Sequence, residues 1–210
     1  MWLGSSQQLD KIAIREVSLL STRVTVVDTA RDLGVVLDRQ LSLDAHVTAV
    51  CRSGYYQLRQ LRPITLSVEA AKSLVQAFIP SRLDYCNAIL YSLPDRLMRR
   101  LQSVQNAAAR LITGASRRDD HITPILRQLH WLPVRRRVDF KIAVLVFQCT
   151  VHRVTWRRTI SSSPMSAFVD FDLQTQRPSV TRRTSNIFGD RCFAAAGPRL
   201  WNGMVWYTRV

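Results

Sequence analysis

The run Pro94-Asp95-Arg96-Leu97-Met98-Arg99-Arg100-Leu101-Gln102-Ser103-Val104-Gln105-Asn106-Ala107-Ala108-Ala109-Arg110-Leu111-Ile112-Thr113-Gly114 decides the fold. Proline at its head presets a helical φ and needs no amide donor. Asp95 puts an anion at the positive end of the helix dipole, and Gly114 can take the left-handed cap at the far end. Between them Leu97, Leu101, Val104, Ala108, Leu111 and Ile112 recur three or four residues apart, so at about 100° per residue they share one face. Arg96, Arg99, Ser103, Asn106 and Arg110 fall on the opposite side, with Arg100 next to them. A helix with one apolar stripe must bury it against neighbours.

The sequence on either side supplies them. Ser42 is placed as an N-cap with Asp44 in the first turn, and Val47, Val50, Cys51, Gly54, Tyr55, Leu58 and Leu61 continue as a stripe that Pro63 ends. Ser67 caps a second helix through Ala70, Leu74 and Phe78, which stops before Pro80. Leu83 to Leu90 reads as a short third helix. After the helix opened by Pro94, Thr123 and Pro124 start a fifth through Ile125 and Leu129, and Pro133 starts a sixth. The second half of that sixth helix, Ile142 to Cys149, is apolar all round and is expected to be buried. Before residue 42 the pattern is β-like. Val24–Val27 and Leu33–Leu37 are short β-branched runs, and the linker 28–32 is short enough to join them as a hairpin. Leu3 and Val17–Leu20 are further strand candidates. Two strands alone are marginal in water, so this head is expected to join a larger sheet or lie on the helices. Beyond residue 152 the periodicity fails: residues 153–186 mix Ser, Thr, Arg and Pro, and only 189–201 regain apolar content.

The expected architecture is therefore mainly α with a small N-terminal β element. It comprises a β segment at 1–41, a helical domain at 42–152 and an irregular basic tail at 153–210.

Charge narrows the function. The 210 residues carry 30 Lys and Arg against 15 Asp and Glu, a net +15, and only Lys11, Lys72 and Lys141 are lysines. Residues 1–60 are nearly balanced at +1 and residues 61–210 hold +14. A field of that sign and strength favours polyanion partners. Glycine-rich phosphate loops are excluded, because no two of the seven glycines lie close enough together to make one. The longest uninterrupted apolar run, Ile142–Phe147, is six residues, far below the roughly 20 that span a bilayer. The first residues show neither a basic nor an apolar signal region, and the four scattered cysteines form no disulfide or metal spacing. An intracellular protein, nuclear or cytoplasmic, is expected, with no membrane partner and no small-molecule substrate.

The residues that bear on chemistry are mainly cationic. Arg96, Arg99 and Arg110, with Arg100, offer planar forks of donors at a spacing that tracks a phosphate backbone. Arg117 and Arg118, and the triplet Arg135, Arg136 and Arg137, add local positive potential, although consecutive helical residues cannot share a face. Tyr55-Tyr56, Trp131 and Trp201 present rings on which bases stack, or at helical spacing and beside prolines serve as core anchors. The adjacent carboxylates Asp119-Asp120 sit between arginines and a helix start, not in the strand turn where polymerases hold metals. His121 and His130 have no cysteine near them, and His46 and His152 read as buried or surface side chains. No catalytic residue, cofactor site or metal site is assigned from the residues.

Several spaced motifs then resemble one family. Asp32-Leu33-Gly34-Val35-Val36-Leu37-Asp38 with Leu41-Ser42 and His46 is similar to the segment after the palm of LINE-type (non-LTR) retrotransposon reverse transcriptases. So are Ser81-Arg82-Leu83-Asp84-Tyr85-Cys86-Asn87-Ala88, the run Leu101–Leu111, and His121-Ile122-Thr123-Pro124 through Leu129-His130-Trp131-Leu132-Pro133-Val134. A last segment at 187–202, from Gly189-Asp190-Arg191-Cys192-Phe193 to Pro198-Arg199-Leu200-Trp201-Asn202, also resembles it. The resemblance implies the end of a polymerase palm followed by a thumb-like helical domain, which in the family holds template–primer duplex. The family's catalytic carboxylates, which use divalent metal such as Mg, belong to palm motifs N-terminal to every matched segment, so none is transferred here. Residues 151–186 and Gly203-Met204-Val205 depart from the pattern, as compensating frameshifts in a decaying copy would produce. The resemblance implies a truncated RNA-directed DNA polymerase fragment that contacts RNA or RNA–DNA duplex and does not polymerise by itself. The alternatives are a stand-alone basic nucleic-acid-binding module and a translated relic without a selected role.

Overall fold

A computed structural model describes residues 1–62, 67–115, 121–151 and 187–205. The chain divides into two compact units, one of Met1–Cys86 with Leu93–Val134, the other of Asn87–Ser92 with Arg135–Val210.

In the first unit, the Pro94–Gly114 run forms α5, Asp95–Thr113, ended by Gly114 at φ 67° as its cap requires. Its stripe is buried as read, with Leu97, Leu101, Val104, Ala108 and Ile112 all inside. Against it lies α2, Asp44–Leu61. The close approach of the two helices is set at Gly54, where a Cβ would stand 2.6 Å from Val104 Cγ1. Preceding them is the short α1, Ser6–Leu9. Helix α3, Val68–Phe78, begins as expected, Ser67 Oγ accepting from the Ala70 N–H, and it ends before Pro80. The expected third helix at Leu83–Leu90 is instead broken. Pro80–Asp84 forms α4, Tyr85 is extended, Cys86 takes φ 51°, and Asn87–Leu90 is a 3₁₀ turn. Proline at N1 starts α4 three residues early, and the left-handed Cys86 ends any continuation. Helix α6, Ile122–Gln128, has His121 rather than Thr123 at its N-cap.

Buried Gln105 anchors a polar network in this unit. Gln105, with no exposed surface, donates from Nε2 to the Leu132 carbonyl at 2.8 Å and accepts from Gln102 Nε2 at 2.9 Å. Gln102 Oε1 in turn accepts from the Val134 N–H at 2.9 Å. These bonds tie the loop after α6 to α5, and Trp131 in that loop is buried as a core anchor.

The β element differs from the expected single hairpin. Strands β1, Glu16–Leu19, and β2, Thr22–Thr25, pair with each other, and β3, Thr29–Asp32, pairs with β4, Val35–Asp38. The stretch 28–32, read as a linker, is itself mostly strand. The reason is the turn: Leu33 and Gly34 take φ 44° and 82°, the two positive values of a type I′ connection, so strands close on either side of them. Strand β4 packs on α2, burying Val35, and the head thus lies on the helices. Asp38 makes the junction. Its two carboxylate oxygens accept from the Ser42 and Leu43 N–H groups at 2.9 and 2.8 Å. Leu43, at φ 61°, and not Ser42, holds the N-cap position of α2.

The second unit contains the 3₁₀ turn, α7 (Val134–Val151, whose first residue belongs to the first unit), α8 (Ile187–Arg191) and α9 (Phe193–Val205). Residues 187–205 are therefore helical, where an irregular tail was expected; 153–186 lie outside the described residues. Helix α7 buries Val138, Ile142, Ala143 and Val146. Opposite Val146, Gly197 of α9 leaves room for contact: a Cβ there would lie 2.9 Å from Val146 Cγ2. The expectation that Ile142–Cys149 is buried all round fails at Phe147, which is 51% exposed. Ala195 and Ala196 beside Gly197 are buried. An Asp190–Arg199 ion pair at 2.7 Å and a bond from Arg191 Nη2 to the Ile89 carbonyl at 3.4 Å complete this unit.

Candidate functional site

The arginines read on one face of α5 are divided by what α2 places beside them. Asp44, in the first turn of α2, accepts from Arg96 Nη2 at 2.7 Å and from Arg100 Nη1 at 3.4 Å. Arg100 also donates to Thr48 Oγ1 at 2.8 Å. These two cations share one carboxylate and stand at the side of the α5 face nearest the start of α2. One negative charge between two positive ones lowers the field that Arg96 and Arg100 present to a ligand.

Further along the same face the arginines have no compensating charge among the described residues. Arg99, Ser103, Asn106 and Arg110 of α5, with Tyr55 of α2 and Arg62 at its C-cap, line an open concavity of about 690 Å³ in which the described residues place no carboxylate. Neither Arg62, Arg99 nor Arg110 has an ion-pair partner among the described residues. The Arg110 Nε is buried without a hydrogen-bond partner. Arg99 and Arg110 are separated by about 16 Å along the helix axis, at about 1.5 Å per residue. Duplex carries a phosphate per ~1.7 Å of axis; the number of phosphates contacted is therefore limited by the arginines and not by the strand.

Tyr55 joins the two helices. Its hydroxyl lies 2.8 Å from Ser103 Oγ, and 38% of the residue is exposed. The ring is held by its hydroxyl while one side faces solvent, the arrangement of an amphipathic aromatic that can also stack on a base. The core-anchor and stacking readings of Tyr55 are thus compatible in one residue. Arg62 was not singled out from the sequence. The signal for it was present, since Tyr55 and Arg62 are two helical turns apart and so share a face of α2.

The remaining basic candidates fall elsewhere. Arg117 and Arg118, like Asp119-Asp120, lie outside the described residues. Arg135, Arg136 and Arg137 open α7 in the second unit, where Arg136 Nη1 is 3.8 Å from Asp139 Oδ2. Burial raises the Asp139 pKa and the two neighbouring arginines, Arg136 and Arg135, only partly offset it. As consecutive residues of a helix, the three arginines point about 100° apart and form no common face. Among the described residues no group of His, Cys, Asp or Glu is placed to hold a metal ion. No helix among them is long and apolar enough to cross a membrane.

Comparison of the chain with protein-family models, with curated proteins and with solved structures finds no significant match.

Proposed function

We propose that the chain binds a nucleic-acid backbone in the concavity between α2 and α5, as a fragment resembling the thumb-side part of a LINE-type reverse transcriptase. The observation that carries the reading is the set of Arg62, Arg99 and Arg110, which line one concavity beside an exposed tyrosine ring and have no carboxylate partner among the described residues. Guanidinium forks match phosphate oxygens and keep their charge at any working pH. The net charge of +15 supplies long-range attraction, and the concavity supplies the contacts. RNA or RNA–DNA duplex is the partner that the motif resemblance favours. The reading gives the chain no polymerase step of its own, since the family's metal-binding carboxylates correspond to none of its residues.

The test is binding of a labelled RNA–DNA hybrid by anisotropy across a salt series, with heparin as competitor. Parent protein is expected to saturate and to resist moderate heparin. Each of Arg62→Gln, Arg99→Gln and Arg110→Gln should reduce the log–log salt slope by about 0.9. Arg96→Gln, already paired with Asp44, should reduce it less. Non-saturating binding, or slopes that ignore these positions, would overturn the proposal and leave the positive charge as a property of composition alone.

A further inference from the structure

A second concavity, of about 560 Å³, lies over the first half of α2, within the roughly 300–1,000 Å³ range of small-molecule sites. It is built from residues of β3–β4, α2, α3 and α4, all within the first unit, and shares no residue with the arginine concavity. Its polar floor is His46, only 6% exposed. The ring Nδ1 accepts a hydrogen bond from the Val36 backbone N–H at 3.4 Å. The neutral imidazole therefore carries its proton on Nε2. That second nitrogen has no partner among the described residues, and the ring lines the cavity. Two guanidiniums line it as well, Arg31 from β3 and Arg82 from α4, both on exposed residues and neither in an ion pair among the described residues. Among the described residues no carboxylate is in the lining.

The walls are apolar. Phe78, 39% exposed, faces the cavity together with Val36 and Val50. Tyr85 closes one side with its hydroxyl engaged, donating to the Leu33 carbonyl at 2.6 Å, so that its ring and not its polar end is what a ligand meets. Three donors from three separate elements suit an anion with three oxygens better than a carboxylate with two. The apolar walls require that the anion be carried on a hydrophobic body.

From this we infer that the cavity binds a small organic phosphate monoester, its phosphate held by Arg31, Arg82 and His46 Nε2 and its apolar body against Phe78 and Val50. The inference stands apart from the nucleic-acid reading, since each concavity can be emptied of function without the other. Arg31 also acts on His46 through its charge. Burial, then Arg31, hold the imidazole pKa below its ordinary value. The charged and titratable groups facing His46 across the cavity are Arg31 from β3, Arg82 from α4 and Tyr85 just after α4; α3 contributes none among the described lining residues.

Phenyl phosphate is the probe, titrated into the full chain while the His46 imidazole resonances are followed by NMR and assigned with His46→Gln. A saturable shift is expected, with the His46 titration midpoint moving upward when the ligand is bound, because a bound anion favours imidazolium. Arg31→Gln and Arg82→Gln alter exposed side chains and should preserve the fold while weakening binding about tenfold each. Inorganic phosphate should bind far more weakly than phenyl phosphate, and phenol should not bind. Equal affinity for inorganic phosphate, parent-like binding by both arginine variants, or an unmoved His46 resonance would each overturn the inference.

Discussion

Gly54 is where the packing of α2 on α5 is most sharply constrained. An alanine methyl there would sit 2.6 Å from Val104 Cγ1, on a side chain with no exposed surface. Real Cβ contacts do not reach that distance, so Val104 must rotate or the helices must separate. Overpacking of this kind costs about 1–3 kcal/mol. In a helix interior, Gly→Ala also returns about 0.8–1 kcal/mol of backbone entropy and propensity. The expected net for Gly54→Ala is a loss of roughly 1 kcal/mol. Val104→Ala alone should cost about 2 kcal/mol or more, from lost apolar burial and the remaining cavity. In the Val104→Ala background, however, the new methyl has room, and Gly54→Ala should then stabilise by about 1 kcal/mol. The sign reversal is the prediction, and it corresponds to a coupling of about 2 kcal/mol in the double-mutant cycle. Urea unfolding followed by far-UV circular dichroism measures it; at about 1–3 kcal/mol per molar, 1 kcal/mol moves the midpoint by roughly 0.3–1 M. If Gly54→Ala raises the midpoint in both backgrounds, or if the effects add within about 0.5 kcal/mol, the close approach of α2 and α5 at this position is refuted.

Three further outcomes are expected. Leu33 is 81% exposed with φ 44° ahead of Gly34 at φ 82°, so Leu33→Asn should raise the melting temperature, gaining about 0.5–1 kcal/mol, while Gly34→Ala should lower it. Burial raises the Asp38 pKa, but the Ser42 and Leu43 N–H bonds outweigh it and hold the carboxyl below its ordinary 3.8. Its contribution is therefore present above pH 3.8 and lost as pH falls through the lower folded value; Asp38→Ala should cost about 1 kcal/mol at neutral pH and flatten that acid limb, read from unfolding midpoints across pH. His46 follows the same sign: the folded state resists the proton, so stability is full above pH 6.5 and declines as pH falls through the depressed folded value. Arg31→Gln should make that decline smaller and end it at higher pH, since removing one of the two causes of the depression brings the folded value up toward 6.5.

How the charge is deployed follows from contacts that composition cannot reveal. On α5, Arg96 and Arg99 differ by three positions and look equivalent on a helical wheel. They are made unequal by Asp44, which lies 52 residues before Arg96 in the chain and reaches it at 2.7 Å. Arg110 gains its distinct character from burial of its Nε, again a property of neighbours rather than of spacing. The second concavity was less visible still. His46 looks like an ordinary buried histidine in the sequence, and only the Val36 N–H at its Nδ1 fixes which nitrogen is left to face the cavity.

Local signals sufficed wherever the cause was local. Pro94 and Gly114 bounded α5, Ser67 started α3 and Pro80 ended it, because a fixed φ, a missing amide or a short side-chain cap acts within a few residues. The apolar stripe of α5 likewise named its buried face, since helical periodicity alone sets which side chains stand together. The strand pairing, the break at Cys86 and the half-exposed Phe147 were not fixed in this way. Which strands close depends on both residues of the Leu33-Gly34 turn accepting positive φ, and the approach of α9 to Val146 of α7 depends on the missing Cβ of Gly197. The amino-acid sequence by itself determined the helical segments, their apolar faces and a strong positive field. Only the tertiary structure decided which arginines remain available to an anion, because ion pairing and desolvation depend on distances across the fold and not on distances along the chain.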